Sequence, residues 1–171
     1  MRTATIFVSL ATMGALVATT AALELPERKP GQWVITTFPD PGSDATQMSV
    51  QICLDVATDQ PMWEVGLSLN PDSCSQMDAT TEGGAVIVDS TCTFADRQSQ
   101  THVVIIGDFQ TAYGITVESN VLNPGPDQRS EFRASQQAIW LGECEDDLKP
   151  GYMMMPGGAT TNALAGTDRG G

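Results

Sequence analysis

Basic side chains are scarce in this sequence. Eight Lys and Arg residues stand against 21 Asp and Glu residues, which gives a formal net charge of −13 at pH 7. Nucleic acids and anionic membrane surfaces are bound through clustered Lys and Arg, so the composition predicts no nucleic-acid partner. An acidic excess also simply keeps a soluble protein in solution, and it therefore identifies no partner by itself.

Groups that serve catalysis are equally sparse. There is one histidine, His102, and the sequence has no G-x-S-x-G element, no C-x-x-C pair and no P-loop motif with its lysine. His102 stands at the start of a predicted strand, where a structural role is favoured over a catalytic dyad with Ser or Asp. We therefore predict that the protein is not an enzyme, with no catalytic residue, no cofactor-binding residue and no cofactor.

Long hydrophobic runs are missing after the N-terminal region. An apolar run at about residues 6–17 follows Arg2, and Thr20 and Ala22 suit the small-residue positions before a signal-peptidase site. The run is too short for a comfortable membrane span, and no later segment approaches about 18 apolar residues. We predict a signal peptide at residues 1–22, no membrane span in the mature chain, and a periplasmic or secreted location. The alternative is an uncleaved N-terminal anchor.

Four cysteines follow the predicted signal peptide, and they are Cys53, Cys74, Cys92 and Cys144. An even number in an exported protein indicates two disulfides, for which three pairings are possible. If residues 82–84 form a hairpin loop, Thr81 pairs with Ala85 and Cys74 falls opposite Cys92. Opposed residues of this kind lie about 4.5 Å apart, near the short limit for a disulfide. We therefore predict Cys74–Cys92 and, by elimination, Cys53–Cys144.

Turn chemistry divides the mature chain into strands. Residues 46–53 alternate between apolar and polar side chains, as a half-buried strand of an antiparallel sheet does. The predicted strands are residues 31–38, 46–53, 74–81, 85–94, 101–109, 113–122 and 129–141. Residues 54–73 do not alternate, and Pro61 interrupts any long helix, so we expect a short helical turn beginning near Asp55 and then a loop.

These elements predict an all-β domain at residues 23–151. We expect an antiparallel meander of about seven strands that forms a half-barrel or open barrel, with one short helical insertion and two disulfides. The alternative is a two-sheet sandwich. After Pro150 the composition turns to Gly, Thr and Ala, so we predict a flexible C-terminal tail at residues 152–171, disordered from Gly157 onward.

Two neighbouring groups near the C-terminus suggest metal ligands. Four acids offer oxygen ligands that suit Ca²⁺, and three consecutive methionines offer thioethers that suit Cu(I): Glu143, Glu145, Asp146, Asp147, Met153, Met154 and Met155. The acids do not follow EF-hand spacing, and consecutive residues of an extended segment point to opposite sides. We therefore predict no metal ligand, with the acids at a solvated strand end and the methionines packed at the barrel mouth.

Apolar residues on the predicted inner face of the sheet are the candidates for ligand binding, namely Trp33, Ile35, Val50, Ile52 and Val104. A curved sheet can hold an apolar molecule with such residues. Every hydrophobic core requires the same residue types, so we predict core or ligand-facing positions and favour the core.

Several segments together resemble a known family. They are "ELPERKPGQWVITT", "QICLD" around Cys53, the central Cys74 and Cys92, and the closing "WLGEC" and "KPG". Over about residues 25–151 the chain resembles domain-of-unknown-function family 3617. The resemblance implies a small exported bacterial protein and no reaction. Val34 departs from the Glu that typically follows the first tryptophan, and the run of methionines is peculiar to this chain.

Three functions follow as hypotheses. We predict an exported, non-enzymatic accessory or binding module for a small apolar ligand or an exported protein partner. The alternatives are a structural or envelope-stress protein without a ligand, and an unrecognised hydrolase. A cavity large enough for a ligand favours binding over a structural role, and acids clustered beside His102 in that cavity would favour the hydrolase.

Overall fold

The structure, a computed structural model, describes Leu23, residues 25–126 and residues 129–165. The predicted signal peptide lies outside the described residues, as do residues 166–171. The elements in chain order are β1 (Gly31–Pro39), β2 (Met48–Leu54), α1 (Asp59–Gly66), β3 (Cys74–Glu82), β4 (Ala85–Phe94), β5 (Arg97–Gly107), β6 (Ala112–Val121), β7 (Glu131–Gly142), β8 (Tyr152–Met154) and β9 (Thr160–Asn162).

The strands form one open antiparallel sheet. Their order is β3-β4-β5-β6-β7-β1-β2-β8-β9, so β3 and β9 are the edges, and β1 pairs with β2 on one side and β7 on the other. This confirms the predicted all-β, open antiparallel class with one helix and two disulfides. The sandwich alternative is wrong, because the described strands belong to a single sheet.

The sheet has nine strands where about seven were predicted. The additional strands, β8 and β9, lie where the composition predicted a flexible tail, and β8 pairs with β2 through Ile52 and Gln51. Met153 of β8 packs against the core and so gives this short strand an apolar anchor. The predicted flexibility is therefore wrong for β8 and β9, and the other domain boundaries stay predictions.

The hairpin between β3 and β4 has a shorter loop than predicted. Glu82 pairs with Ala85, so only Gly83 and Gly84 form the loop. Both glycines have positive φ, 59° and 84°, as a two-residue hairpin loop of this type requires.

A bulge in β3 compensates for the shorter loop. The register shifts between Cys74 and Gln76, and this shift places Cys74 directly opposite Cys92. Both predicted disulfides, Cys74–Cys92 and Cys53–Cys144, are confirmed. The first pairing was thus predicted from a register that is one residue off, and the bulge restores it.

Helix α1 begins four residues after the predicted position at Asp55. Asp55 instead forms a turn in which its carboxylate accepts the backbone N–H of Thr58 at 2.8 Å and the Thr58 hydroxyl at 2.7 Å. These hydrogen bonds, the hydroxyl first, lower the pKa of Asp55. Pro61 lies in the first turn of the helix, where a missing N–H costs no intrahelical hydrogen bond.

One face of the sheet, which we call the inner face, carries the hydrophobic core together with α1. The buried members of the core are Leu25, Trp33, Ile52, Leu54, Met62, Trp63, Leu69, Val88, Val103, Ile105, Tyr113, Ile115 and Ala138. Met62 and Trp63 extend this core onto α1. Over the ranges described, no helix combines the length and apolarity that a membrane crossing needs.

The three tryptophans of the chain all hold the segment at residues 25–30, which precedes β1. Each indole N–H donates to a backbone carbonyl of this segment: Trp33 to Lys29 at 2.9 Å, Trp63 to Pro26 at 2.9 Å, and Trp140 to Pro30 at 3.2 Å. The Lys29 ammonium also lies 3.4 Å from the Trp140 ring centre, a cation–π contact. The segment is therefore fixed across the core, and it carries Arg28 inward.

Gly31, the first residue of β1, follows this segment at a point where two backbones approach closely. Its φ is 128°, and a Cβ at this position would collide with the carbonyl oxygen of Gly142 on β7. Only glycine fits such a position, which gives a structural reason for the last residue of the first "KPG".

Candidate functional site

A cleft of about 100 Å³ opens between α1 and the inner face of the sheet. Its lining is mostly apolar and comes from six strands or their flanks, the helix, and the N-terminal segment. The lining includes Arg28, Ile35, Ile52, Met62, Trp63, Tyr113, Ile115, Gln136, Met153 and Ala163. We call this the apolar cleft.

The predicted inner-face residues separate into different positions. Ile35 and Ile52 line the apolar cleft. Trp33 is fully buried in the core beneath it. Val50 lies directly opposite Ile35 on the neighbouring strand and is half-buried, outside the lining of the cleft.

Val104 does not lie on the inner face, so the prediction for this residue is wrong. Its neighbours Val103 and Ile105 are buried in the core, and successive side chains of a strand point to opposite faces. The apolar run from Val103 to Ile106 has no polar alternation that could select the face. Val104 therefore lies on the opposite face, which we call the outer face.

Arg28 is the charged group of the apolar cleft, although it is only 5% exposed. Its Nε donates to Asp59 Oδ1 at 2.6 Å, and its backbone N–H donates to Asp59 Oδ2 at 3.1 Å. Its Nη2 donates to the Asp59 carbonyl at 2.9 Å. Asp59 is itself buried in the first turn of α1, where the helix dipole favours a carboxylate. The arginine thus joins the N-terminal segment to the helix, and its charge is balanced.

Aromatic rings complete the surroundings of Arg28. Its guanidinium carbon lies 3.9 Å from the Trp63 ring centre, and its Nη1 donates to the Tyr113 hydroxyl at 3.2 Å. The Tyr113 ring contacts Trp33 at 5.3 Å and Trp63 at 5.2 Å between centroids. Burial raises the pKa of Tyr113, so the phenol is neutral at pH 7. The cleft wall is therefore a fixed, hydrogen-bonded aromatic cluster.

The loop between β5 and β6 supports this cluster. Asp108 accepts hydrogen bonds from the Thr111 hydroxyl at 2.6 Å and from the backbone N–H groups of residues 110–112. These bonds, the hydroxyl first, hold the pKa of Asp108 far below its usual value. In the same loop the carbonyl of Phe109 accepts the backbone N–H of Lys29 at 2.8 Å. Asp108 thereby stabilises the turn that anchors the N-terminal segment.

A second depression, of about 270 Å³, lies over strands β3 to β6, and we call it the polar trough. It is lined by Gln76, Asp89, Ser90, Thr91, Gln100, Thr101, His102, Glu118 and Asn120. His102 Nδ1 lies 2.7 Å from Asp89 Oδ1, and the strand register places Glu118 on the other side of His102. His102 lies in the middle of β5, so its predicted position at a strand end is wrong. The strand starts earlier because polar residues from Arg97 also pair with β4.

The acids and the methionines near the C-terminus do not converge on one point. Cys144 is bonded to Cys53, and the four neighbouring acids are exposed. Met153 pairs with Ile52 and lines the apolar cleft, whereas Met154 pairs with Gln51 and points the other way. Within the described ranges, no group of three or more His, Cys, Asp or Glu side chains is placed to hold a metal ion.

Sequence reasoning missed Arg28, Asp59, Tyr113, Gln136 and the contribution of Met153 to the cleft. Arg28 is 31 residues from Asp59 and 85 residues from Tyr113 along the chain. No local pattern connects residues at such distances. The available signals were a charged residue inside the "ERKPGQW" segment and an Asp at the start of the helical insertion.

Comparison with known proteins gives one result. No curated protein and no solved structure matches the chain. The model of a family described as a protein of unknown function, DUF3617, matches residues 28–144. The matched range starts at Arg28 of the apolar cleft and ends at Cys144 of the longer disulfide loop. Because the match covers more than half of the chain, and confirms the resemblance of the sequence, the protein belongs to the DUF3617 family.

Proposed function

We propose that this protein is an exported, non-enzymatic binding module that holds a small apolar ligand in the apolar cleft. The observation that carries the proposal is the cleft itself, about 100 Å³ lined mainly by side chains such as Ile52, Met62, Trp63 and Met153. Protein interiors leave few voids larger than a water molecule, and an apolar pocket with a few polar groups is typical of ligand sites.

The size of the cleft limits the occupant. An engineered apolar cavity of about 150 Å³ holds benzene. This smaller cleft, which opens to the surface, therefore encloses no more than a single ring or a short aliphatic chain.

The cleft is formed before any ligand arrives. Trp63 is fixed by its bond to Pro26 and by Arg28, which is itself bonded to Asp59 at the start of α1. A wall held in this way loses little conformational freedom on binding, which favours affinity. The two disulfides are compatible with an oxidising compartment, in keeping with export.

Titration of the oxidised protein with ethylbenzene tests the proposal. Trp63 lies in the wall of the cleft, so binding is expected to change its indole N–H signal in an NMR titration. Ala163→Leu adds volume inside the cleft and is expected to weaken binding about tenfold, roughly 1.4 kcal/mol. The matched control is Val104→Leu, which adds volume on the outer face and should leave the affinity unchanged. Absence of binding, or equal affinity in the two variants, would contradict the proposal.

A second candidate function, hydrolysis at the polar trough, is supported by one observation. His102 is held by Asp89 with Glu118 on its other side, an arrangement in which an imidazole can act as a general base. We favour binding because these acids lie on the outer face, away from the apolar cleft. Turnover of a small activated ester that disappears in His102→Gln would support hydrolysis, and equal turnover in both proteins would exclude His102 as the base.

A further inference from the structure

We infer that the ligand of the apolar cleft is a neutral amphiphile, with an apolar body and an oxygen atom that accepts a hydrogen bond from Arg28. The inference rests on the proposed function and names the class of molecule that the cleft would select.

Arg28 has more donors than its partners use. A guanidinium carries five N–H groups. Nε bonds to Asp59 Oδ1, Nη1 to the Tyr113 hydroxyl and Nη2 to the Asp59 carbonyl. One N–H on each terminal nitrogen therefore has no acceptor among the described residues.

Arg28 is one of the residues that line the cleft, although it is only 5% exposed, and we assign its two remaining N–H groups to a ligand that enters there. A buried donor without an acceptor is unfavourable, so an oxygen atom that enters through the cleft gains a hydrogen bond that an apolar ligand cannot form. This asymmetry selects ligands that carry an acceptor.

The charge of the surroundings decides which acceptor fits. Asp59 already neutralises Arg28 through a 2.6 Å ion pair between two buried groups. A carboxylate ligand would leave one uncompensated negative charge in this apolar setting, within a chain whose net charge is −13. A ketone, ester, amide or hydroxyl oxygen accepts the hydrogen bond without adding charge.

A second polar group stands in the same lining. The Gln136 side-chain amide donates to Thr37 Oγ1 at 3.2 Å, and Gln136 lines the cleft with Ile35 and Ile115. A cleft of this kind, apolar with one amide and one buried guanidinium, suits a molecule that is mostly hydrocarbon with a single polar function.

Three probes of similar shape test the inference on the full oxidised protein. Ethylbenzene has no acceptor, acetophenone places a ketone oxygen on the same skeleton, and benzoate is anionic at pH 7. Dissociation constants are measured by NMR titration in the native protein and in the double variant Arg28→Met/Asp59→Leu, which removes both charges together. We expect the affinity ratio of acetophenone to ethylbenzene to fall about tenfold in the double variant, and benzoate to bind the native protein more weakly than acetophenone.

The outcomes separate the two proposals. Binding of ethylbenzene and acetophenone with the same ratio in both proteins would overturn the role of Arg28 and leave the binding function standing. Tightest binding by benzoate would overturn the preference for a neutral acceptor. Failure of all three probes to bind would overturn the binding function together with the inference.

A measurement on the native protein covers the case in which the double variant does not fold. The infrared C=O stretch of bound acetophenone is expected at lower frequency than in hydrocarbon solvent, because a guanidinium N–H withdraws electron density from the carbonyl. A band at the frequency of the hydrocarbon solution would show that no such hydrogen bond forms and would overturn the inference.

Discussion

The apolar cleft and the polar trough differ in how the fold assembles them. The polar trough lies on four consecutive strands, and His102 meets Asp89 and Glu118 because the antiparallel register puts them side by side. The apolar cleft brings together Arg28, which precedes β1, and Met153, which lies in β8. Neighbouring strands bring polar side chains together in almost any sheet, whereas a buried arginine requires several separate elements to meet.

The difference extends to how tightly each group is held. The Arg28 and Asp59 side chains are 3% and 6% exposed, while those of His102 and Asp89 are 48% and 58% exposed. Exposed pairs exchange their partners for water at little cost, and buried pairs do not. A short polar contact therefore indicates a built site only when burial and long-range contacts accompany it.

Removal of the longer disulfide is expected to have the largest effect. Cys53–Cys144 joins residues 91 apart, and Cys74–Cys92 joins residues 18 apart. Loop entropy predicts that replacing the first pair with serine lowers the free energy of unfolding by about 4.5 kcal/mol, and the second by about 3 kcal/mol. Urea unfolding of the two double variants measures both losses, each serving as the control for the other. A larger loss for Cys74–Cys92 would contradict the ranking.

Breaking the buried ion pair comes next. Arg28→Met leaves the Asp59 carboxylate buried without its partner and should lower the free energy of unfolding by roughly 4 kcal/mol. The double variant Arg28→Met/Asp59→Leu removes both charges and is expected to recover most of this loss. Urea titration of the single and double variants measures the difference. Equal stability of the two variants would show that the buried charge is not the cause.

Acid should weaken the loop that supports the cleft. Because the folded-state pKa of Asp108 is depressed, its contribution to stability is present above its unfolded pKa, near 3.9, and is lost as pH falls below that value. Asp108→Asn is therefore expected to lower the melting temperature at pH 7. The melting temperature of the variant should also fall less than that of the native protein between about pH 4 and pH 2. Thermal melts across this range measure both effects. The same acid dependence in both proteins would refute the assignment to Asp108.

The smallest effect is expected in the polar trough. Asp89→Asn removes the charge of an exposed pair and should change the free energy of unfolding by no more than about 0.5 kcal/mol. His102→Gln is the matched variant on the other side of the pair. A loss of several kcal/mol in either variant, measured by urea unfolding, would mean that the trough is as firmly built as the cleft.

Local patterns in the sequence were sufficient for much of the fold. The alternation of residues 46–53 and the turn residues between strands predicted the antiparallel sheet. The glycines at positions 83 and 84 predicted the hairpin, and the Cys74–Cys92 pairing followed although the predicted loop was one residue too long. These features depend on residues close together in the chain. The family was likewise indicated by contiguous segments such as "KPGQW".

The candidate site was less predictable because its determinants are not local. The face of Val104 depends on the pairing of β5 with its neighbours, and the apolar run around it contains no polar residue to mark the register. The role of Met153 depends on a three-residue strand that pairs with β2 on one side and with β9 on the other. The role of Arg28 depends on its contacts with Asp59, Trp63 and Tyr113, and no short sequence motif contains these residues together.

The central position of β1 in the sheet has a consequence for folding kinetics. From β3 to β7, each strand pairs with the next strand along the chain, so these hairpins close short loops. The pairing of β1 with β7 instead joins distant residues such as Gln32 and Gly142. Because distant contacts form late, β7 has an unpaired edge until β1 and β2 dock beside it. During that interval a second copy of the chain competes for the same edge. Refolding yield should therefore fall as the protein concentration rises, although β7 is paired on both sides in the folded sheet.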